Sequence, residues 1–256
     1  VHVVRCFGEG DIIHVESSID PIRDIDTINT ELQLKDLETV DKRLHSAERE
    51  LKAGDKNASA ILDALKIAKE KLSKGELLHP SASSGQADLN YNKVIKELQL
   101  LTAKEILFLL NGSEGDIKDD LKQKIKNLGY SFVVVDLSNI EHNLSLVIRK
   151  AYEILDLISF FTTGEDETRA WTIKRGTKAP EAAGVIHTDF EKKFIRAEVV
   201  PYEKLMEAHS TGSTRSPQAS SGQANAWTAA KQKGWMRLEG KEYVVQDGDV
   251  LEIRHG

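Results

Sequence analysis

The sequence predicts a mixed α/β protein: a parallel sheet interrupted by an antiparallel helical hairpin, followed by a smaller α+β domain. Three observations carry this expectation. Apolar runs alternate with amphipathic helical segments over residues 104–157, the pattern of a parallel sheet with crossover helices. Two stretches between residues 33 and 99 space their apolar residues by threes and fours. From residue 158 onward, threonines, glycines and β-branched residues alternate, as in short strands joined by turns.

The elements follow in order. VHVVRCF reads as a strand buried at the centre of a sheet, and with no initiating Met it is expected to lie inside a longer protein. Asp20-Pro21 is a helix start, with Asp as N-cap and Pro at the first helical position. Leu37, Val40, Leu44, Ala47 and Leu51 then form a heptad seam that Gly54 breaks. Ile61, Leu65, Ala68 and Leu72 form a second, closed by Gly75. Each seam spans about two heptads, too few for an isolated helix, so the two are expected to pair. They read either as a spacer or as a docking arm for a large partner. HPSASSGQADLN is a polar loop, and NKVIKELQLL a short third helix.

KEILFLLN and SFVVVDLS are apolar strands, the second buried on both faces. DIKDDLKQKIKNLG is a helix with Gly129 as C-cap, and LSLVIRKAYEILDL another. Beyond residue 158, GTKAPEAAG reads as turn-rich and FIRAEVV as a half-buried strand. YEKLMEA and AWTAAKQKG are helical, with the low-complexity STGSTRSPQASSGQAN between them. LEGKEYVVQDGDVLEIR is hairpin-like, turning at Asp247-Gly248.

Composition excludes several functions. The 256 residues, 40% hydrophobic and 30% charged, suit one to three soluble domains. No apolar run approaches the ~18 residues of a membrane span. The formal net charge of −6 argues against a wholesale nucleic-acid binder, so neither membrane nor DNA is an expected partner. Charges balance over residues 158–256, so the negative excess lies in the first 157. Cys6 is the only cysteine, which excludes an intramolecular disulfide. With no signal peptide visible, a reducing cytoplasm is the expected location. The eight histidines show no metal-ligand spacing, and no residue is assigned a catalytic or metal-binding role. His187, near Thr188, Asp189 and Glu191, reads as a turn or sheet-edge histidine rather than a catalytic one.

RAWTIKRGTKAPEAAGVIHTDFEKKFIRAEVV and LEGKEYVVQDGDV resemble the C-terminal TGS domain of the YchF, or Obg-like ATPase, family. VVRCF, DPIRDIDTINTEL, LTAKEILFLLNGSE and FFTTGEDETRAWTIK match the same family in order. The resemblance implies a P-loop NTPase domain (1–32 and 100–157), a helical coiled-coil insertion (33–99) and a TGS domain of ubiquitin-like β-grasp fold (158–256). It also implies ATP or GTP as ligand, Mg2+ in the full-length protein, hydrolysis of the triphosphate, and the ribosome as partner. A phosphate-cradling G-x-x-x-x-G-K-[ST] does not occur among the 256 residues; the only Gly-Lys pair is Gly240-Lys241, followed by Glu242. The chain as given is therefore expected to begin after the triphosphate machinery and to hydrolyse nothing alone.

Base recognition is the chemistry the resemblance leaves within the chain. In G proteins, Asn-Lys-x-Asp ends a parallel strand, and its Asp accepts two hydrogens from guanine. The matching segment here is Asn111-Gly112-Ser113-Glu114. The Lys is missing, and Glu replaces Asp with a side chain longer by a methylene. Guanine should thereby lose its advantage over adenine. Asn111 is expected to offer donor and acceptor to the N6 and N7 edge of adenine. Gly112 stands where the family carries a larger apolar residue, which removes a wall of the pocket. Ser138, in the Asp136–Asn139 turn after the next strand, is expected to contact the base. The structural alternatives are a strand-end cap for Asn111, a solvated turn acid for Glu114 and a strand-to-helix turn for Ser138.

Lys174, Arg175, Lys178, Lys192, Lys193 and Arg196, with Trp171 and Phe190 among them, suggest an RNA-facing patch; a solvated surface is the alternative. A second functional reading follows: a non-catalytic module that contacts ribosomal RNA or protein through the hairpin and TGS surfaces.

Overall fold

The computed structural model describes residues 1–8, 19–79, 85–164, 167–212 and 222–256. The chain forms two compact units, Val1–Lys150 and Ala151–Gly256. Most of DIIHVESSI, part of the polar loop at 79–90 and the middle of STGSTRSPQASSGQAN lie outside the described residues.

The first unit begins with β1 (His2–Arg5) and α1 (Pro21–Lys52). Asp20 caps α1 as expected, its carboxylate accepting from the Ile22 and Arg23 amides at 3.2 and 3.1 Å, with Pro21 in the first turn. The helix then runs unbroken through residues 32 and 33, where the sequence placed a domain boundary. Its 32 residues reach about 48 Å. α2 (Ala58–Ser73) returns beside it, and α3 (Gln86–Glu97) packs on α2.

The core of this arm is the predicted seam. Val40, Leu44 and Ala47 meet Leu65, Ala68 and Leu72, all buried. Leu51 falls out of the seam, 43% exposed at the arm's tip. α3 adds Tyr91, Val94 and Ile95, so the arm is three helices packed together rather than a hairpin alone. The third helix starts six residues earlier than its sequence pattern, at Gln86.

β2 (Leu107–Asn111), α4 (Asp119–Asn127), β3 (Ser131–Val135) and α5 (Ile140–Ile154) complete the α/β pattern. The three strands are parallel, in the order β1-β2-β3. β2 is central: Leu107, Phe108, Leu109 and Leu110 are all buried. β3 is buried less evenly than predicted, with Phe132 and Val134 only partly covered. β1 is an edge among the described residues, not the central strand its apolar sequence suggested. One face of the sheet packs Val4, Phe108 and Leu110 against Ile25 of α1 and Leu121 and Ile125 of α4. Gly129 closes α4 at φ +81°, as a C-cap glycine should.

A buried carboxylate joins the arm to the sheet. Asp36, 2% exposed on α1, accepts from the Leu101 and Thr102 amides and from the Thr102 hydroxyl, at 2.8, 2.7 and 2.7 Å. These donors lie in the turn Leu101–Ala103 that feeds β2.

The second unit holds β4 (Leu157–Thr163), β5 (Thr168–Lys174), β6 (Phe194–Pro201), β7 (Arg237–Glu239) and β8 (Asp249–His255), in the order β5-β4-β8-β6-β7. Its helices are α6 (Ala179–Ile186), α7 (Thr188–Lys192), α8 (Tyr202–Gly212) and α9 (Gly222–Gln232). Two expectations fail here. The segment 176–184 read as turns, yet Ala179–Ile186 is helical. Pro180 sits in its first turn, where a missing N–H costs nothing, and Ala179, Ala182 and Ala183 are fully buried. The final hairpin does not form either: β7 and β8 flank β6 instead of pairing with each other. The Asp247-Gly248 turn is pinned to β4, where the Ser159 N–H donates to Asp247 and its carbonyl accepts from the Gly248 N–H, at 2.9 and 2.8 Å. β6 is also more than half-buried, with Ala197 to Val200 enclosed.

Replacing Asp36 by Ala strips three donors of a charged acceptor, two of them on the buried Thr102. We expect it to destabilise the first unit by about 3 kcal/mol or more, and Asp36→Asn to cost less. Urea unfolding read on the first unit checks this; a change below ~1 kcal/mol would show that the carboxylate is incidental.

Candidate nucleotide site

The C-terminal ends of β1, β2 and β3, with Cys6 and the turns after β2 and β3, lie together at the edge of the parallel sheet where open α/β sheets take ligands. Asn111 knits them together. Its carbonyl accepts from the Cys6 N–H at 2.9 Å, and its side-chain Oδ1 accepts from the Leu137 N–H at 3.1 Å. The next amide, Gly112 N–H, donates to the Val135 carbonyl at 3.2 Å. The strand-end cap and the site residue are thus the same side chain. One lone pair of its side-chain oxygen is thus taken by the protein, while its NH2 is accepted by no described residue.

The remaining predicted residues are placed as follows. A Cβ at Gly112 would meet Cys6 Cβ and the Asp116 side chain at 3.4 Å, so these two residues border the space the glycine leaves. Ser113 and Asp116 form a reciprocal clasp, with Asp116 Oδ2 accepting from the Ser113 amide and hydroxyl at 2.8 and 2.6 Å. Those bonds, the hydroxyl's first, hold the Asp116 carboxyl below the ordinary aspartate range. Glu114 is exposed and paired with Lys122 of α4 at 3.2 Å. Ser138 cannot offer the free amide expected of it. Its N–H and hydroxyl both donate to Asp136 Oδ1, at 2.9 and 2.6 Å, and hold that carboxyl low in turn.

Sequence reasoning missed Cys6, Asp116 and Asp136 as members of this corner. Burial, with the Asp116 charge second, pushes the Cys6 thiol up to about 11, so it stands there as a neutral, half-buried group. The Ser113-x-x-Asp116 spacing is a sequence signal for the Asp116 clasp; Cys6 is placed only by the β1–β2 register, which the sequence does not display.

The corner thus presents a half-buried amide donor at a strand end, between two turns in which the Ser113, Leu137 and Ser138 amides are hydrogen-bonded within the protein. Among the described residues no group of His, Cys, Asp or Glu is arranged to hold a metal ion, so no ligand for Mg2+ is assigned.

In the second unit the six basic candidates do not form one patch. Lys174 pairs in register with Leu157, Phe161 with Val250, and Arg196 with Arg254. The Lys174 and Arg196 ends are therefore roughly eight residues apart along the strands, about 26 Å. At the first end, Arg175 is paired with Asp156 at 3.1 Å and Lys178 with Glu242 at 2.6 Å. At the other, Lys192, Lys193 and Arg196 make no ion pair with a described residue, beside Phe190 stacked on His255 at 4.4 Å. His187 caps α7, its Nδ1 accepting from the Asp189 amide at 3.1 Å, the structural role expected of it.

A parallel sheet with crossover helices, carrying a helical arm and followed in the chain by a mixed-sheet unit, is the architecture of a P-loop NTPase-type protein. Comparison with known proteins narrows the class. The chain is 38% identical, over 99% of its length and 72% of the relative's, to the ribosome-binding ATPase YchF of Bacillus subtilis (strain 168). It is 35% identical to Obg-like ATPase 1 of Saccharomyces cerevisiae, over 99% of this chain and 68% of that one. A solved structure, the YchF GTPase of Schizosaccharomyces pombe, superposes with a TM-score of 0.68 at 32% identity, covering 98% of this chain and 71% of the other. Residues 157–256 match the family YchF-GTPase_C, described as a protein of unknown function (DUF933). The chain belongs to the YchF/Obg-like ATPase family.

Proposed function

We propose that this chain reads the base of a nucleoside triphosphate at the Asn111 corner and prefers ATP to GTP. In the full-length protein, by this reading, the nucleotide is hydrolysed with Mg2+ at the ribosome, in the cytoplasm. The observation that carries the base reading is the division of labour within one amide. Asn111 spends its oxygen on Leu137 and keeps its NH2. That donor suits N7, which adenine and guanine share.

Discrimination then rests on the groups that only guanine has. Its N1–H and N2 amine need a carboxylate acceptor, and burying them without one costs about 1–3 kcal/mol. Glu114, at the Asp position of the guanine motif, is turned into an ion pair with Lys122. Guanine therefore gains nothing that adenine lacks. Bound Mg2+ would neutralise phosphate charge, but the residues described here supply base recognition and no chemical step.

A second reading has an observation of its own. The second unit, read as a TGS domain, leaves Lys192, Lys193 and Arg196 unneutralised at one end of its sheet, beside an aromatic stack. That arrangement suits a contact with RNA phosphates and bases. The Bacillus relative is named a ribosome-binding protein, and this end of the sheet is where we place such a contact.

Two measurements test these readings. Calorimetry on the full-length protein should find ATP bound more tightly than GTP, and Gly112→Lys with Glu114→Asp should move the ratio towards GTP by about tenfold. Equal affinities in the parent protein contradict the account of Glu114. In ribosome co-sedimentation, joint reversal of Lys192, Lys193 and Arg196 to Glu should weaken binding and flatten its salt dependence, whereas Lys178→Glu should not. Equal losses from both would remove the second reading.

A further inference from the structure

The sheet of the second unit is sealed on one face and gapped on the other. Side chains alternate along β4, so Ile158 and Phe160 point one way and Phe161 and Thr163 the other. The first pair is buried with Leu251 against Ala182 and Ala183 of α6. The second face is roofed by α8 and α9, where Val200 meets Ala208 and Ala230. Beyond that small cluster the roof does not close. A cleft of about 320 Å³ remains between α8, α9 and the second face of β4, β5 and β8.

The walls of the cleft are apolar. Tyr202, Met206 and His209 recur at helical spacing, so α8 turns one stripe towards the cleft. Phe161 and Val250 face that stripe from the strands, and Ala226 closes the cleft from α9. Phe161 and Tyr202 meet as a tilted ring pair, with centroids 5.5 Å apart. Yet Tyr202 and Met206 are each 46% exposed, although large apolar side chains over a sheet gain most from full burial. The cause is local: Ala226 supplies only a methyl where a larger side chain would fill the gap.

We propose that this cleft binds a small aromatic molecule carrying one hydrogen-bonding substituent. Three features select that class. The volume stands at the lower end of ligand pockets, roughly 300–1,000 Å³, which suits one or two fused rings. Phe161, Tyr202 and Met206 offer ring and thioether contacts that a planar aromatic uses and an alkyl chain does not. The polar groups gather at one end. Thr163 lies two residues beyond Phe161 on β4, its hydroxyl bonded to that of Thr168 at 3.1 Å. His209 lies about two turns beyond Tyr202 on α8 and makes no hydrogen bond with a described residue. The apolar walls give water few partners, so a ligand displaces it at little cost. Residues 213–221, which join α8 to α9, read STRSPQASS and offer no aromatic or large aliphatic side chain as an occupant. The cleft belongs wholly to the second unit and owes nothing to the nucleotide reading.

An NMR titration of the 256-residue chain, labelled at its methionine methyls, tests this. The chain holds two methionines, so Met206 in the cleft is read against Met236 outside its lining. The probe is 2-naphthol, which should shift the Met206 methyl saturably, with a Kd on the order of 1 mM or below. Decahydro-2-naphthol keeps the skeleton and the hydroxyl but has no π face, and should bind about fivefold more weakly or worse. Ala226→Leu fills the gap and should weaken 2-naphthol at least about tenfold without lowering the melting temperature. Thr163→Val, at a half-buried strand end, should weaken it about fivefold and keeps the test open if Ala226→Leu does not fold. A Met206 methyl unmoved up to the solubility limit of 2-naphthol would overturn the proposal. Equal affinity for the saturated probe would remove the aromatic class, and undiminished binding to both variants would place the molecule elsewhere. Contacts from residues 213–221 to the Met206 methyl in the free chain would also overturn it, because the chain's own segment would then be the occupant.

Discussion

One carboxylate connects the two halves of the first unit. Asp36 sits halfway along a 32-residue helix, almost wholly removed from water. A buried carboxyl is tolerable only if hydrogen-bond partners surround it, and the turn at Leu101–Ala103 supplies three donors. The constraint works in both directions. The helix cannot slide without stranding a charge, and the turn cannot open without stranding buried amides. Because β2 starts four residues after that turn, the helical arm and the strand that ends at Asn111 are parts of one mechanical piece.

The base corner inherits that rigidity. Asn111 closes the central strand, and its two oxygens tie down the ends of both neighbours. In the turns beside it Asp116 and Asp136 accept the Ser113 and Ser138 amides and hydroxyls, bonds that lower both carboxyls' pKa values. Beside them stand the Asn111 amide donor and a neutral thiol. In the proposed reading that donor meets N7, which both purines carry, while Glu114 is held by Lys122.

Much of this was legible in the sequence, for identifiable reasons. Helix starts and heptad seams are local, so Asp20-Pro21 and the Val40–Leu44–Ala47 stripe could be read directly. The placing of Asn111 at a strand end was equally local. What failed was non-local. Leu238–Arg254 looked like a hairpin because the Asp247-Gly248 turn signal lies between apolar runs, but β6 separates β7 from β8 and the Ser159 N–H donates to Asp247. The six basic residues looked like one patch because they are close in sequence, yet α6 and α7 carry the chain from one end of the sheet to the other. Ser138 could not be known to spend its amide on Asp136, two residues earlier, until the turn was seen. Nor could β1 be recognised as an edge, since apolar edge and apolar centre read alike in one dimension.

The central claim is that Asn111 meets the base as a donor while its oxygen stays with the protein. A titration of the 15N-labelled protein with ATP, read by NMR, addresses it directly. The account predicts that the Asn111 side-chain NH2 resonances move on saturation while the Leu137 amide keeps its hydrogen-bonded position. An unmoved Asn111 NH2 at saturating ATP, or a Leu137 amide released by the nucleotide, would contradict it.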